Sequence, residues 1–153
     1  MIHTLVRDWM TKDPITVTPD TNIIDAYYLM IEQKIRRLPI VNEGKLVGIV
    51  TLSDLYKVEP LEQLSLSLLE MSRKLNRMTV EEVMAPDPIT VIDDETVGQA
   101  AQKMLEYRIS GLPVVDPAGE LVGIITESDI FRLVVQEWST RKHGSIRIPR
   151  QSE

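Results

Sequence analysis

A run of Gly, two apolar residues, Thr, one variable residue, Ser and Asp occurs twice in this chain, and each copy sets a hydroxyl three residues ahead of a carboxylate, Thr51 with Asp54 and Thr126 with Asp129. Each pair follows a run of glycine and β-branched residues, Gly48-Ile49-Val50 and Gly123-Ile124-Ile125, that reads as a short buried strand turning into a helix. An acid at the carboxyl end of a strand in an α/β sheet is placed to hold the two hydroxyls of a ribose. The same spacing is also that of a capping box, worth about 1 kcal/mol to the helix it opens. The two roles are compatible, because the hydroxyl can cap while the carboxylate faces a ligand.

Other chemistries are poorly supplied. Cysteine is absent, which excludes disulfides, thiolate metal sites and a Cys nucleophile, and the two histidines, His3 and His143, stand near opposite ends. Neither a His-based metal cluster nor a nucleophile with a His base can be assembled from them. There is no P-loop and no GxGxxG. The acidic pairs Asp93-Asp94 and Glu81-Glu82 fall at a loop and a helix start, where solvation and the helix dipole account for them. A net charge of -6 argues against nucleic-acid binding. No apolar run approaches the roughly 18 residues that cross a bilayer, and no leader pattern opens the chain, so a cytoplasmic, non-enzymatic protein is expected.

The elements around the two pairs repeat in the same order. Asp13-Pro14-Ile15-Thr16-Val17 returns as Asp87-Pro88-Ile89-Thr90-Val91, a first strand in each copy, preceded by short helical lead-ins at Leu5 to Met10 and Val80 to Met84. Helices follow over Thr21 to Lys34 and Thr96 to Arg108. Their apolar faces, Ile23, Ala26, Tyr27, Met30 and Ile31 in one and Val97, Ala100, Ala101, Met104 and Leu105 in the other, are predicted core. Strands at Leu38 to Val41 and Leu112 to Val115 and turns at Gly44 and Gly119 lead back to the strand and helix described first. Aligning Met10 to Val58 with Met84 to Leu133 gives about 22 identities over about 49 positions. The expected fold is therefore mixed α/β (α+β), with two β-α-β-β-α repeats packed face to face about a pseudo-twofold axis.

Between the copies, residues 60–77 read as a connecting helix, with Leu61, Leu64, Leu68, Met71 and Leu75 forming a two-heptad seam. That seam fits either the protein's own sheet or a second subunit. Residues 139–153 are polar and read as a flexible tail.

The order P-I-T-V, then R-x-x-x-L-P-V/I-V (with Lys34 for the Arg in the first copy), then G-I-I/V-T-x-S-D resembles the CBS domain, and the two copies are similar to a tandem CBS pair, or Bateman module, standing alone. The resemblance covers repeat one at 6–58 and repeat two at 80–135. It implies a regulatory body, commonly a homodimer, that senses adenine nucleotides such as AMP, ADP or ATP in clefts between the repeats and signals to an effector protein. No cofactor, nucleic acid or membrane partner is implied. A ligand-free dimerisation or docking scaffold, and a binder of S-adenosylmethionine, are the alternatives.

Carried onto these residues, the resemblance gives Asp54 and Asp129 the ribose hydroxyls, with Thr51 and Thr126 beside them. Ile15, Thr16, Ile89 and Thr90, with Ile40 and Val114, would line the adenine slots. Arg36, Arg37 and Arg108 would meet phosphate, for which the planar guanidinium fork is suited; a solvated surface charge is the other reading of each. Arg36-Arg37 stands where the second copy has Ser110-Gly111, so the two sites are expected to be unequal, with the first preferring phosphorylated ligands.

Overall fold

The computed structural model describes residues 3–58 and 68–143. The chain divides into two compact units, one joining the segment that ends at Pro14 to the segment that starts at Ile89, the other running from Ile15 to Pro88.

In the second of these, helix α2 (Ile23–Gln33) packs on the hairpin of β2 (Arg37–Asn42) and β3 (Lys45–Thr51). The hairpin is antiparallel with Leu38 opposite Val50, and its turn uses Gly44 at φ +79°, a left-handed conformation that costs glycine nothing. Val17 lies parallel to Ile40 on the far side of β2, donating its N–H to Pro39 O at 3.1 Å while its carbonyl accepts from Val41 N at 2.9 Å. The expected first strand is thus a single bridge here. Helix α3 (Leu52–Tyr56) ends this repeat, and α4 (Leu68–Arg77) returns to pack beside α2. Ile23, Ala26, Met30, Ile35, Leu38, Ile40, Val50 and Val80 form the core, each large side chain contributing about 1.5–3 kcal/mol by leaving water.

The other unit repeats the plan. Strand β5 (Val91–Ile92) pairs parallel with β6 (Gly111–Val115), which pairs antiparallel with β7 (Leu121–Thr126). Helix α5 (Val97–Tyr107) follows β5 and α6 (Glu127–His143) follows β7. Even the irregularity is duplicated, with a register shift at Ile40/Val41 in one hairpin and at Val114/Val115 in the other.

The lead-ins are exchanged between the repeats. Helix α1 (Val6–Trp9) and strand β1 (Thr11–Lys12) precede repeat one in sequence but complete the unit of repeat two, with Thr11 paired to Ile124. The 3-10 turn Val80–Glu82 and strand β4 (Ala85–Pro86) do the same for repeat one, with Ala85 paired to Ile49. Val6 N to Glu95 O (2.9 Å) and Val97 N to Thr4 O (2.8 Å) in one unit match Val80 N to Thr21 O (2.8 Å) and Ile23 N to Met78 O (3.0 Å) in the other. A strand glycine makes room in each case: a Cβ built on Gly48 would meet the sulfur of Met84, and one on Gly123 the sulfur of Met10. Directly after these strands Asp13 and Asp87 take φ +49° and +47° ahead of a proline, a strained conformation that turns the chain out of one unit into the other.

Two sequence expectations are corrected. Ile31 and Leu105 occupy equivalent positions on α2 and α5 and are exposed, Leu105 by 83%; the apolar face of each helix is wider than the sheet it covers. The segment after Trp138 begins as helix rather than tail, because α6 continues to His143 and Ser139 is buried. Leu75 packs against its own unit's core, whereas the rest of the proposed leucine seam lies outside the side chains described.

One polar side chain joins two helix ends. Asn22 Oδ1 accepts from Ile24 N at 2.8 Å, capping α2, while its Nδ2 donates to Asn76 O at 2.6 Å near the end of α4. Asn22→Ala is expected to cost about 1–2 kcal/mol in urea-melt stability. Asn22→Asp keeps the cap but has no donor for α4, so it should recover only part of that loss.

Candidate ligand-binding sites

Each unit brings its predicted polar residues to one end of its hairpin. In repeat one Arg37 is opposite Thr51, and Arg36 O accepts from Leu52 N at 2.7 Å, so the two arginines stand beside the strand-to-helix turn that carries Thr51 and Asp54. Val17, which follows Ile15-Thr16 directly, bridges Ile40 on the same strand that carries Arg37. Ile15, Thr16 and Arg36 are exposed, and Arg37, Thr51 and Asp54 are half-buried. In repeat two Gly111 is opposite Thr126, Glu127 N donates to Ser110 O at 3.0 Å, and Val91, which follows Ile89-Thr90 directly, pairs with Val114. Ile89 and Thr90 are half-buried, and Arg108 is exposed at the left-handed cap of α5, φ +54°. Ile40 and Val114 are fully buried members of the two cores. Their backbones are paired on both edges as well, Ile40 with Gly48 and Val17, Val114 with Gly123 and Val91, so these two expected slot residues are core rather than open lining.

The acids are engaged locally, and differently. Asp54 Oδ2 accepts from Thr51 N at 2.9 Å and Thr51 Oγ1 accepts from Asp54 N at 3.1 Å, a complete capping box for α3. A carboxylate has two oxygens, and Oδ1 of Asp54 takes no hydrogen bond among the described residues. Asp129 Oδ2 likewise accepts from Thr126 N at 2.9 Å, but its Oδ1 accepts from Arg132 Nη1 at 3.0 Å. Asp129 is 5% exposed and Thr126 2%.

Two further side chains shape the second site. Lys103 on α5 donates to Thr90 O at 3.1 Å and pairs with Glu95 at 3.1 Å, fixing the Ile89-Thr90 segment; repeat one has Leu29 at the matching position. Arg132 lies three residues after Asp129 on one helix face. That spacing is legible in the sequence as an i, i+3 ion pair. Among the described residues no group of three or more His, Asp or Glu side chains is placed to hold a metal ion. No helix among them is long and apolar enough to cross a membrane.

Two copies of a helix-backed hairpin, each ending in a capped acid, define a duplicated α+β module. The family model for the CBS domain matches residues 6–60 and 80–136, and the chain belongs to that family as a tandem pair. It is 44% identical over 131 residues to the L-aspartate semialdehyde sulfurtransferase of Methanocaldococcus jannaschii, a match covering 85% of this chain and 23% of that protein. It is 37% identical over 143 residues to the inosine-5'-monophosphate dehydrogenase of Korarchaeum cryptofilum, covering 93% and 27%. The chain thus spans about a quarter of the length of these relatives. Among solved structures, it is similar to the CBS domain pair of protein MJ0100 in complex with 5'-methylthioadenosine and S-adenosyl-L-methionine, at 42% identity and TM-score 0.73, covering 88% of this chain and 98% of that one. CBSX2 in complex with AMP, a protein of Arabidopsis thaliana, matches at 33% identity and TM-score 0.73 with the same coverage.

Proposed function

We propose that this CBS pair is a non-catalytic, cytoplasmic regulatory module that binds an adenosine-containing ligand and reports its presence to an effector protein. The observation that carries this reading is Oδ1 of Asp54, which takes no hydrogen bond among the described residues and is held at the end of β3 by a capping box that uses the other oxygen. A ribose diol offers two donors to such a carboxylate. Beside it stand Arg36 and Arg37, cations suited to a 5'-phosphate, and the exposed Ile15-Thr16 segment, suited to the apolar face of a base. Similar CBS pairs bound to AMP, 5'-methylthioadenosine and S-adenosyl-L-methionine support the ligand class. The arginines favour the phosphorylated member of it.

A thermal-shift series with AMP, ATP, S-adenosylmethionine and 5'-methylthioadenosine tests the reading. Saturation at 100 times the dissociation constant stabilises by about 2.7 kcal/mol, a rise of about 5–10 °C for a domain of this size. AMP is expected to give such a rise. A flat response to all four compounds contradicts it.

A second reading has one observation in its favour. Phe131, Val134 and Val135 are exposed on one face of α6, with Trp138 a further turn along and Lys142 Nζ 5.2 Å from its ring centroid. This spacing of i, i+3, i+4 and i+7 is that of a helix face covered by a partner, and a second copy of the chain is the proposed occupant. A dimer formed through α6 is compatible with ligand binding, and it is what remains if no ligand binds.

A further inference from the structure

The two repeats share Thr, Ser and Asp at the turn that ends the hairpin, yet the helices that follow differ in length. Helix α3 stops at Tyr56, so Lys57, the residue matching Arg132, is the cap beyond the last turn and is exposed. Helix α6 runs on for 17 residues, which puts Arg132 one turn beyond Asp129. Side chains on a helix lean toward its N-terminus, and Arg132 accordingly reaches back to Asp129 Oδ1 at 3.0 Å, the Arg132 side chain 20% and the Asp129 side chain 7% exposed. With Oδ2 on Thr126 N, both oxygens of Asp129 are occupied by the protein itself. Among the described residues, one oxygen of Asp54 is left over.

We propose that Arg132 is an internal plug: it occupies the hydrogen-bonding position at Asp129 that its counterpart Asp54 presents to a ligand, so the pair takes one nucleoside at Asp54 before any at Asp129. This rests on the proposed function and adds an order of filling to it. A ribose arriving at Asp129 has to displace a charge-assisted bond inside a nearly closed site, whereas at Asp54 no described residue holds that position. The second event is therefore weaker, and Arg132 sets by how much.

Calorimetric titration of the whole chain with AMP distinguishes the outcomes. The wild type is expected to bind one equivalent, with a second at least tenfold weaker. Asp54→Asn should remove the stronger equivalent, and Arg132→Ala should bring the two to within about threefold of each other. Arg132→Gln, which keeps a donor of similar reach but no charge, should fall between and serves if the alanine variant does not fold. Two equal sites in the wild type, or a second site that neither Arg132 variant strengthens, overturns the plug while leaving the proposed function standing. No heat with any of the four proteins overturns both.

Discussion

Gly123→Ala is expected to lower the melting temperature by about 5–10 °C, a loss of about 2–3 kcal/mol. A Cβ at this position would stand 2.8 Å from Thr11 O and 2.5 Å from the sulfur of Met10. The methionine can swing aside, but the carbonyl belongs to β1, which is hydrogen-bonded to β7 at that level. The added methyl therefore pushes the exchanged lead-in off the sheet, and with it Val6, Trp9 and Met10, all members of that unit's core. Gly48→Ala supplies the comparison. There the nearest backbone atom is Ala85 O at 3.1 Å, tight but not prohibitive, and the closer neighbour is the flexible Met84 side chain. A loss of about 1 kcal/mol is expected, toward the low end for overpacking. Differential scanning calorimetry of the two variants checks the order; equal, small shifts would mean that the lead-in strands yield freely.

Asp54→Ala is the second large effect, and it acts on two quantities at once. Removing the carboxylate breaks the back-bond to Thr51 N, which costs about 0.5–2 kcal/mol of stability. It also removes the proposed ribose acceptor, and a hydrogen bond to a charged group is worth about 1.5–3 kcal/mol, so AMP affinity should fall about 10- to 150-fold. Asp54→Asn separates the two, since its amide oxygen can still accept from Thr51 N but the charge is gone. Affinity should fall there too, with less loss of melting temperature. A pure cap would lose stability in both variants and leave nucleotide affinity untouched.

The sequence pattern located elements well because periodicity and capping are local. Helices α2 and α5 begin at the polar caps Asn22 and Thr96 and stop at Lys34 and Arg108, both left-handed. The turns at Gly44 and Gly119 are where composition put them, and each has positive φ. What periodicity cannot say is which partner covers a face. Ile31 and Leu105 carry the right spacing for core, but no element of their own unit covers them. The exchange of lead-ins is non-local for the same reason: Met10 and Met84 look alike in sequence, and only the slot above each strand glycine assigns them. Polar composition alone suggests a tail from residue 139, but composition does not end a helix: α6 continues through a buried Ser139, and Thr140 Oγ1 bonds back to Gln136 O at 2.9 Å. At the candidate sites, the paired acids and their caps were legible. The proposed order of filling turns on Arg132, whose i, i+3 spacing from Asp129 was readable, whereas the early end of α3 that leaves Lys57 at a helix cap was not.

The central claim is that Asp54 serves its helix with one oxygen and a ligand with the other. A crystal structure of the protein grown with AMP tests it most directly. The account predicts a ribose hydroxyl about 2.5–2.8 Å from Asp54 Oδ1, with Oδ2 still on Thr51 N. Nucleotide bound elsewhere, with Oδ1 facing only solvent, would contradict it.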